Sequence, residues 1–185
     1  KMASFASAGS DARMNGCSLP VVTTSGSGNQ GMTCSLPVIK FCQEKGLSKE
    51  EMIRGLFFSH MTTIHIKSNI GRLSAYCGAM CASAGVAGAI SFLSKLSFEQ
   101  VSHAIETTLG TMSGVICDGA KSSCATKIAS GVSAAFDGYY TASKNRNFEF
   151  GEGIVGKNVE KTIEHVGILG QDGMKKTDEV ILDIM

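Results

Sequence analysis

The run from Leu73 to Leu93, LSAYCGAMCASAGVAGAISFL, carries no charged residue, and no other stretch limits the possible folds as strongly. By length alone it qualifies as a membrane span. Its content argues against one: Gly, Ala and Ser dominate, and Leu, Ile and Phe are too few to drive insertion. The run therefore predicts a central helix buried on all sides by neighbours.

The flanking segments supply those neighbours. Ser48-Lys-Glu-Glu51 reads as a capping box opening a helix through Met52, Ile53, Leu56, Phe57, His60, Met61 and Ile64, with Gly71 as its stop. Ser97-Phe-Glu-Gln100 reads as a second box, for a helix through Val101, Ile105 and Leu109 that ends at Gly110–Gly114. A helix is expected from Asn29 to Glu44, with Pro37 either kinking it or moving its start towards Leu36. Others are expected from about Lys121 to Tyr139, after the Asn158 cap, and from Thr177 to Met185. Residues 1–9 would close an earlier element at Gly9, and Leu19–Thr24 would form a short strand or a buried extended segment. With six or seven helices, few strands and no βα alternation, the fold class is mainly α, a multi-helix single domain over residues 1–185. One short echo, CSLPV at 17–21 and again at 34–38, suggests a local duplication.

Chemistry must come from what a helical core does not need. Between Ser10 and Gly31 the chain reads SDARMNGCSLPVVTTSGSGNQG. Glycines 26, 28 and 31 permit positive φ and close backbone approach. A helix starting there would present N–H groups to an anion such as a substrate carboxylate. Arg13 suits bidentate carboxylate recognition, or else forms a surface pair with Asp11. The same loop also reads as a plain linker.

Seven cysteines occur in 185 residues: Cys17, Cys34, Cys42, Cys77, Cys81, Cys117 and Cys124. The odd count and the lack of a signal peptide point to reduced thiols in a cytoplasmic protein, about four of them serving as small core residues. Cys117 and Cys124 bracket the Asp118-Gly119 turn, and Cys77 falls within the charge-free run, expected mid-helix. Three such thiolates could hold three irons of a [4Fe–4S] cluster and leave the fourth open as a Lewis acid; three unconnected core cysteines explain the spacing equally well. Cys81, one turn from Cys77, is the rival ligand, and a four-thiolate zinc site lacks a CxxC pair. His65 is a weak acid–base candidate. His60, His103 and His165 are less suggestive, and Lys121 reads as a Schiff-base lysine or simply a solvated one. Net charge is +1 without a basic run, which disfavours nucleic acid as a partner.

Three segments together, ASAGSDARMNGCSLPVVTTSGSGNQG, GRLSAYCGA and ICDGAKSSCATKIAS, resemble the C-terminal catalytic portion of the iron–sulfur L-serine dehydratase alpha-chain superfamily, and within it the L-cysteine desulfidase branch. The resemblance runs from about residue 3 to residue 140. It implies a cytoplasmic [4Fe–4S] lyase without pyridoxal phosphate, whose cluster ligands fall on Cys77, Cys117 and Cys124. The loop residues Ser25, Gly26, Ser27, Gly28, Asn29, Gln30 and Gly31, with Arg13 and Asn15, would bind the substrate. The implied reaction is α,β-elimination on L-cysteine, giving pyruvate, ammonia and sulfide, or on L-serine with hydroxide leaving. The dehydratases proper usually carry a Pro-Thr-Asn-Gly type loop where this chain has SGSGNQG. The chain opens in mid-segment, so a fragment of a longer protein is expected. Its partners would be the amino-acid substrate, the remaining N-terminal part and, in one arrangement, a second copy. The general base would lie upstream of residue 1, leaving this piece inactive alone. The competing classes are a pyridoxal phosphate lyase, an inactive member of the family, and a helical regulatory or membrane-packing module.

Overall fold

A computed structural model describes residues 1–185, which form eight α-helices and no β-strand: α1 (Met2–Met14), α2 (Gly28–Lys45), α3 (Lys49–Ile70), α4 (Gly78–Leu93), α5 (Phe98–Met112), α6 (Cys124–Ser143), α7 (Val159–Ile168) and α8 (Lys175–Ile184). Helix α4 is the charge-free run less its first residues. Every residue in it except Phe92 is buried, and it packs against α2, α3, α5 and α6. Its small residues are required by that crowding. A Cβ on Gly88 would meet Phe58 and Ile105, and one on Gly131 of α6 would meet the Met80 side chain. No helix is long and apolar enough to cross a membrane.

Both capping boxes form, Ser48 with Glu51 and Ser97 with Gln100, and Asn158 caps α7 through Lys161 N. Several boundaries differ from the sequence reading. Gly9 does not end α1, because Leu36 of α2 packs where its side chain would be. Pro37 stays inside α2, buried and without ending the helix. Gly110 lies within α5, covered by Phe148, and α6 starts at Cys124 rather than Lys121. A π-helical turn, Leu169–Gly173, joins α7 to α8; the α-helices alone number eight where six or seven were expected.

Leu19–Thr24 is neither a strand nor buried: Leu19 and Val22 are exposed and only Thr24 is covered. The two CSLPV copies differ completely, the first being extended and exposed, the second forming part of α2. The echo is therefore not a structural duplication. The only β-type pairings are two isolated bridges, Thr24–Ser27 and Tyr76–Ile116, and both lie beside the candidate site.

Candidate functional site

Three helices begin at one place. A cavity of about 80 Å³ is lined by Ser27, Asn29 and Gln30 at the start of α2, Cys77 and Gly78 at the start of α4, Cys124 and Lys127 at the start of α6, and Cys117 and Gly119 from the loop between α5 and α6. Each helix start carries unpaired N–H groups and a partial positive charge. Three of them together favour thiolates and anions in this cavity over neutral groups.

Cys77 is not mid-helix as expected but the N-cap of α4, extended at φ −65° and ψ 115°. A cap position points the side chain out of the helix end, into the cavity. Cys117 is held beside it by the Tyr76–Ile116 bridge. Cys124 opens α6, its thiol directed at Gly119 O at 3.6 Å. The Cys77 thiol donates towards Cys117, and that bond, with the Gly119 amide and the nearby Lys127 ammonium, holds the Cys117 thiol well below the ordinary thiol range. The same shared proton and burial push Cys77 upward. Lys127 itself is fixed by Ile116 O at 3.1 Å and by the Asp118 carboxylate.

Cys81 does not compete for this cavity: it is fully buried one turn deeper in α4, with burial pushing its thiol up to about 12. Cys34 is likewise buried, pushed up to about 11 and directed at Thr63 Oγ1 at 3.2 Å. Cys34, Cys42, Cys77 and Cys81 are the four buried cysteines. No three His, Cys, Asp or Glu side chains converge closely enough to hold a single metal ion, so these thiols are not preassembled as a tetrahedral zinc site.

Of the loop residues expected to bind substrate, Ser27, Asn29 and Gln30 line the cavity. The others do not. Ser25 (φ 50°) and Gly26 (φ 81°) form the tip of a tight turn closed by reciprocal bonds between the Thr24 and Ser27 backbones at 3.0 and 3.1 Å, the positive-φ pair of a type I′ hairpin. Gly28 and Gly31 serve close approach instead of positive φ: side chains there would collide with Arg13 and with the Val22 carbonyl. Arg13 sits behind the site, donating to Asn29 Oδ1 at 2.9 Å, and lines a separate apolar groove with Val21, Met32 and Leu36. Asn15 bonds back to Asp11 on the surface, and Asp11 forms no ion pair with Arg13.

Gln30 is the least satisfied residue of the cavity. It is 7% exposed, and its Oε1 is buried with no hydrogen-bond partner. Such a buried acceptor costs free energy until a donor reaches it.

His65 lies away from this cavity, at the surface, with Nε2 2.8 Å from Glu160, and Lys121 is exposed. His60, set aside in the sequence reading, is the better placed histidine. Its Nδ1 is 2.7 Å from Thr24 Oγ1 and its Nε2 is 3.0 Å from Ser35 Oγ. The Ser35 hydroxyl gives its single proton to Gly31 O at 2.7 Å, so it accepts from His60 Nε2–H. Nδ1 is then the acceptor for the Thr24 hydroxyl. The ring thus ties the 24–27 turn to α2. Lys127 was also missed, although its position one turn after Cys124 on α6 was a signal available in the sequence.

The serine dehydratase alpha chain family model matches residues 2–183. A UPF0597 protein of Fusobacterium nucleatum is 65% identical over 185 residues, all of this chain and 43% of that protein. A UPF0597 protein of Desulfitobacterium hafniense is 48% identical over 181 residues, covering 98% of this chain and 42% of its own length. A UPF0597 protein of Bacteroides fragilis is 45% identical over 182 residues, with the same coverage. The chain therefore spans less than half the length of these relatives. No solved structure matches it significantly.

Proposed function

This chain belongs to the serine dehydratase alpha-chain family, and from that premise we propose that it forms the substrate and cluster site of a [4Fe–4S] lyase acting on a small L-amino acid, with L-cysteine as substrate. One observation carries this reading: Cys77, Cys117 and Cys124 line the same cavity as Ser27, Asn29 and Gln30, at the convergence of three helix N-termini.

The donor set fits such a cluster. Three thiols come from three separate elements, and Lys127 and the Gly119 amide favour the thiolate form of Cys117, the form an iron ligand requires. The buried, unpartnered Gln30 carbonyl lies in the same wall. Cys77, Cys117 and Cys124 would hold the cluster, which supplies a Lewis acid for the leaving group.

The remaining chemistry belongs to side chains. Loss of the Cα proton and of the β-sulfur from L-cysteine gives 2-aminoacrylate, which tautomerises and takes up water to yield pyruvate and ammonia, with sulfide released. Ser27 and Gln30 orient the amino acid through their side chains and Asn29 through its backbone N–H in the first turn of α2, and orientation of this kind lowers the barrier by fixing the reacting geometry. Gln30 Oε1 accepts from the substrate α-ammonium. Arg13 acts indirectly by holding the Asn29 amide with its Nδ2 turned towards Met14 Sδ. No carboxylate or imidazole lines the cavity, and its one lysine is engaged with Asp118. The proton acceptor is therefore assigned to the part of the longer protein outside these residues.

The test is anaerobic reconstitution of the complete protein with iron and sulfide, followed by assay of sulfide and pyruvate with L-cysteine and L-serine side by side. The reading expects both products from L-cysteine, and loss of both, together with the iron–sulfur absorbance, in Cys117→Ser. An unchanged iron–sulfur spectrum in that variant removes Cys117 from the ligand set, and preferred turnover of L-serine reassigns the substrate.

A further inference from the structure

Helix α3 is packed the wrong way round for a surface helix. The side it buries carries small residues, Gly55, Ser59 and Thr63, with Ile66 and Ile70 beyond them. That side lies so close to α4 that a Cβ on Gly85 would meet Thr63 Oγ1 and the Ser59 carbonyl, and one on Gly55 would meet Leu93. The opposite side carries Ile53, Phe57, Met61 and Ile64, and all four are exposed, Phe57 by 67%. Steps of four, four and three residues line them up on one face, about half a turn from Ser59 and Thr63. A helix that faces water usually places polar and charged residues there. A helix already packed on one side that keeps an apolar stripe on the other is built to be covered on both.

The stripe does not stand alone. Met61 also lines an open groove of about 580 Å³, whose walls include Phe58, Phe92, Leu96 and Phe98. Phe92 stacks on Phe58 at 5.3 Å, and Phe98 beside them is 84% exposed. Single exposed apolar side chains are ordinary, but a continuous run of them marks a surface that another surface meets. At its other edge the stripe borders the wall of the thiol cavity. His60, between Phe57 and Met61 in sequence, holds Thr24, and the Thr24–Ser27 turn contributes Ser27 to that cavity.

Two facts identify what covers this face. The relatives are more than twice as long as this chain, so a large part of the protein remains to be packed. The patch is also small for an association between separate chains, which takes about 20–30 residues on each side; the stripe and its groove fall short of that. A segment of the same polypeptide is held at high effective concentration and needs no such area. We propose that the outer face of α3 and the groove beside it are the docking surface for the part of the longer protein outside residues 1–185. That part lays an apolar face over Phe57, which makes α3 a core helix of the complete protein. The docking does not depend on the lyase reading; where that reading holds, it also brings the missing proton acceptor towards the Ser27 side of the cavity.

The test uses the complete protein with p-benzoylphenylalanine in place of Phe57, irradiated and mapped by peptide mass spectrometry. The cross-link should run to a peptide outside residues 1–185, in a product that keeps the mass of one chain under denaturing conditions. Cross-links confined to residues 1–185, or none at all, overturn the proposal, and a product of twice the chain mass overturns it in favour of a second copy. A substitution pair provides an independent readout. Phe57→Lys should lower the melting temperature of the complete protein by several degrees, because an ammonium there would lose its water, and Phe57→Leu should lose much less. An unchanged melt in Phe57→Lys places the position in water and also overturns the proposal. Neither readout involves turnover, so failure of the lyase reading leaves this result standing.

Discussion

Cys77 and Cys117 are joined through their own backbones, not only through their thiols. The Cys77 amide donates to Val115 O at 3.2 Å, and the Cys117 amide donates to Ala75 O at 2.6 Å, on either side of the Tyr76–Ile116 bridge. The fully buried Tyr76 between them anchors the pair, its hydroxyl 3.3 Å from Ser113 Oγ. Two cysteines from opposite ends of a helix pair are thereby fixed as neighbours before any ligand arrives.

One consequence is selective thiol reactivity. The bond from Cys77, the Gly119 amide and Lys127 lower the Cys117 pKa, so its thiolate, the reactive form, persists at a lower pH than that of an ordinary cysteine. At pH 7 iodoacetamide should label Cys117 before Cys17, although Cys17 is the exposed one. Cys77→Ala should slow that labelling by roughly tenfold, equivalent to about one unit of pKa. Peptide mass mapping over time decides it, and prior labelling of Cys17 counts against the shared-proton arrangement.

Lys127 should prove to be a fastener of the Cys117 loop. It holds Ile116 O and the Asp118 carboxylate together, but both partners are partly exposed, so the effect on global stability is expected to be only about 1 kcal/mol. Lys127→Met should instead speed exchange at the Cys117 amide while the amides of α4 remain protected. Hydrogen exchange read residue by residue checks this, and uniform loss of protection contradicts it.

The His60 ring predicts a pH dependence. Burial lowers its pKa, so the folded state prefers the neutral ring that accepts from the Thr24 hydroxyl. Above the unfolded value of about 6.5 both states are neutral and the full stability is present. As pH falls from there to the folded pKa, the unfolded chain takes up the proton first and stability declines; below the folded pKa the decline from this group stops. His60→Gln should therefore be less stable than wild type at pH 7.5, with the gap narrowing towards pH 5. Denaturant midpoints at the two pH values measure it, and a constant gap excludes His60 as the cause.

Glycine substitutions should separate a backbone obstacle from a side-chain one. Gly31→Ala drives a methyl into the Val22 carbonyl, whereas Gly78→Ala meets only the amide end of Gln30. Gly31→Ala is expected to cost about 1–3 kcal/mol and Gly78→Ala less. Gly78→Ala should nevertheless disturb amino-acid binding more than its stability suggests, because Gln30 must move. Melting temperatures and L-alanine titrations of both variants provide the comparison.

Helix existence was legible from Ser48, Ser97 and Asn158, whose caps are local chemistry between residues three apart. The buried central helix was legible from its lack of charge. Local glycines misled, at Gly9 and Gly110, because a glycine written into a sequence is the same whether it ends a helix or admits a neighbour. Only Leu36 and Phe148, brought from elsewhere in the chain, decide which.

The candidate site divides in the same way. Sequence by itself determined a mainly helical chain, its capped helices, and a set of thiols and loop residues that resembles a family whose model does match. Tertiary structure decided that Cys77 caps a helix and that Arg13 stands behind Asn29. It also decided that the Gln30 carbonyl is buried in the cavity wall without a partner. Capping depends on neighbours along the chain and is written there. Desolvation depends on everything packed around a group, and only the folded chain brings that together.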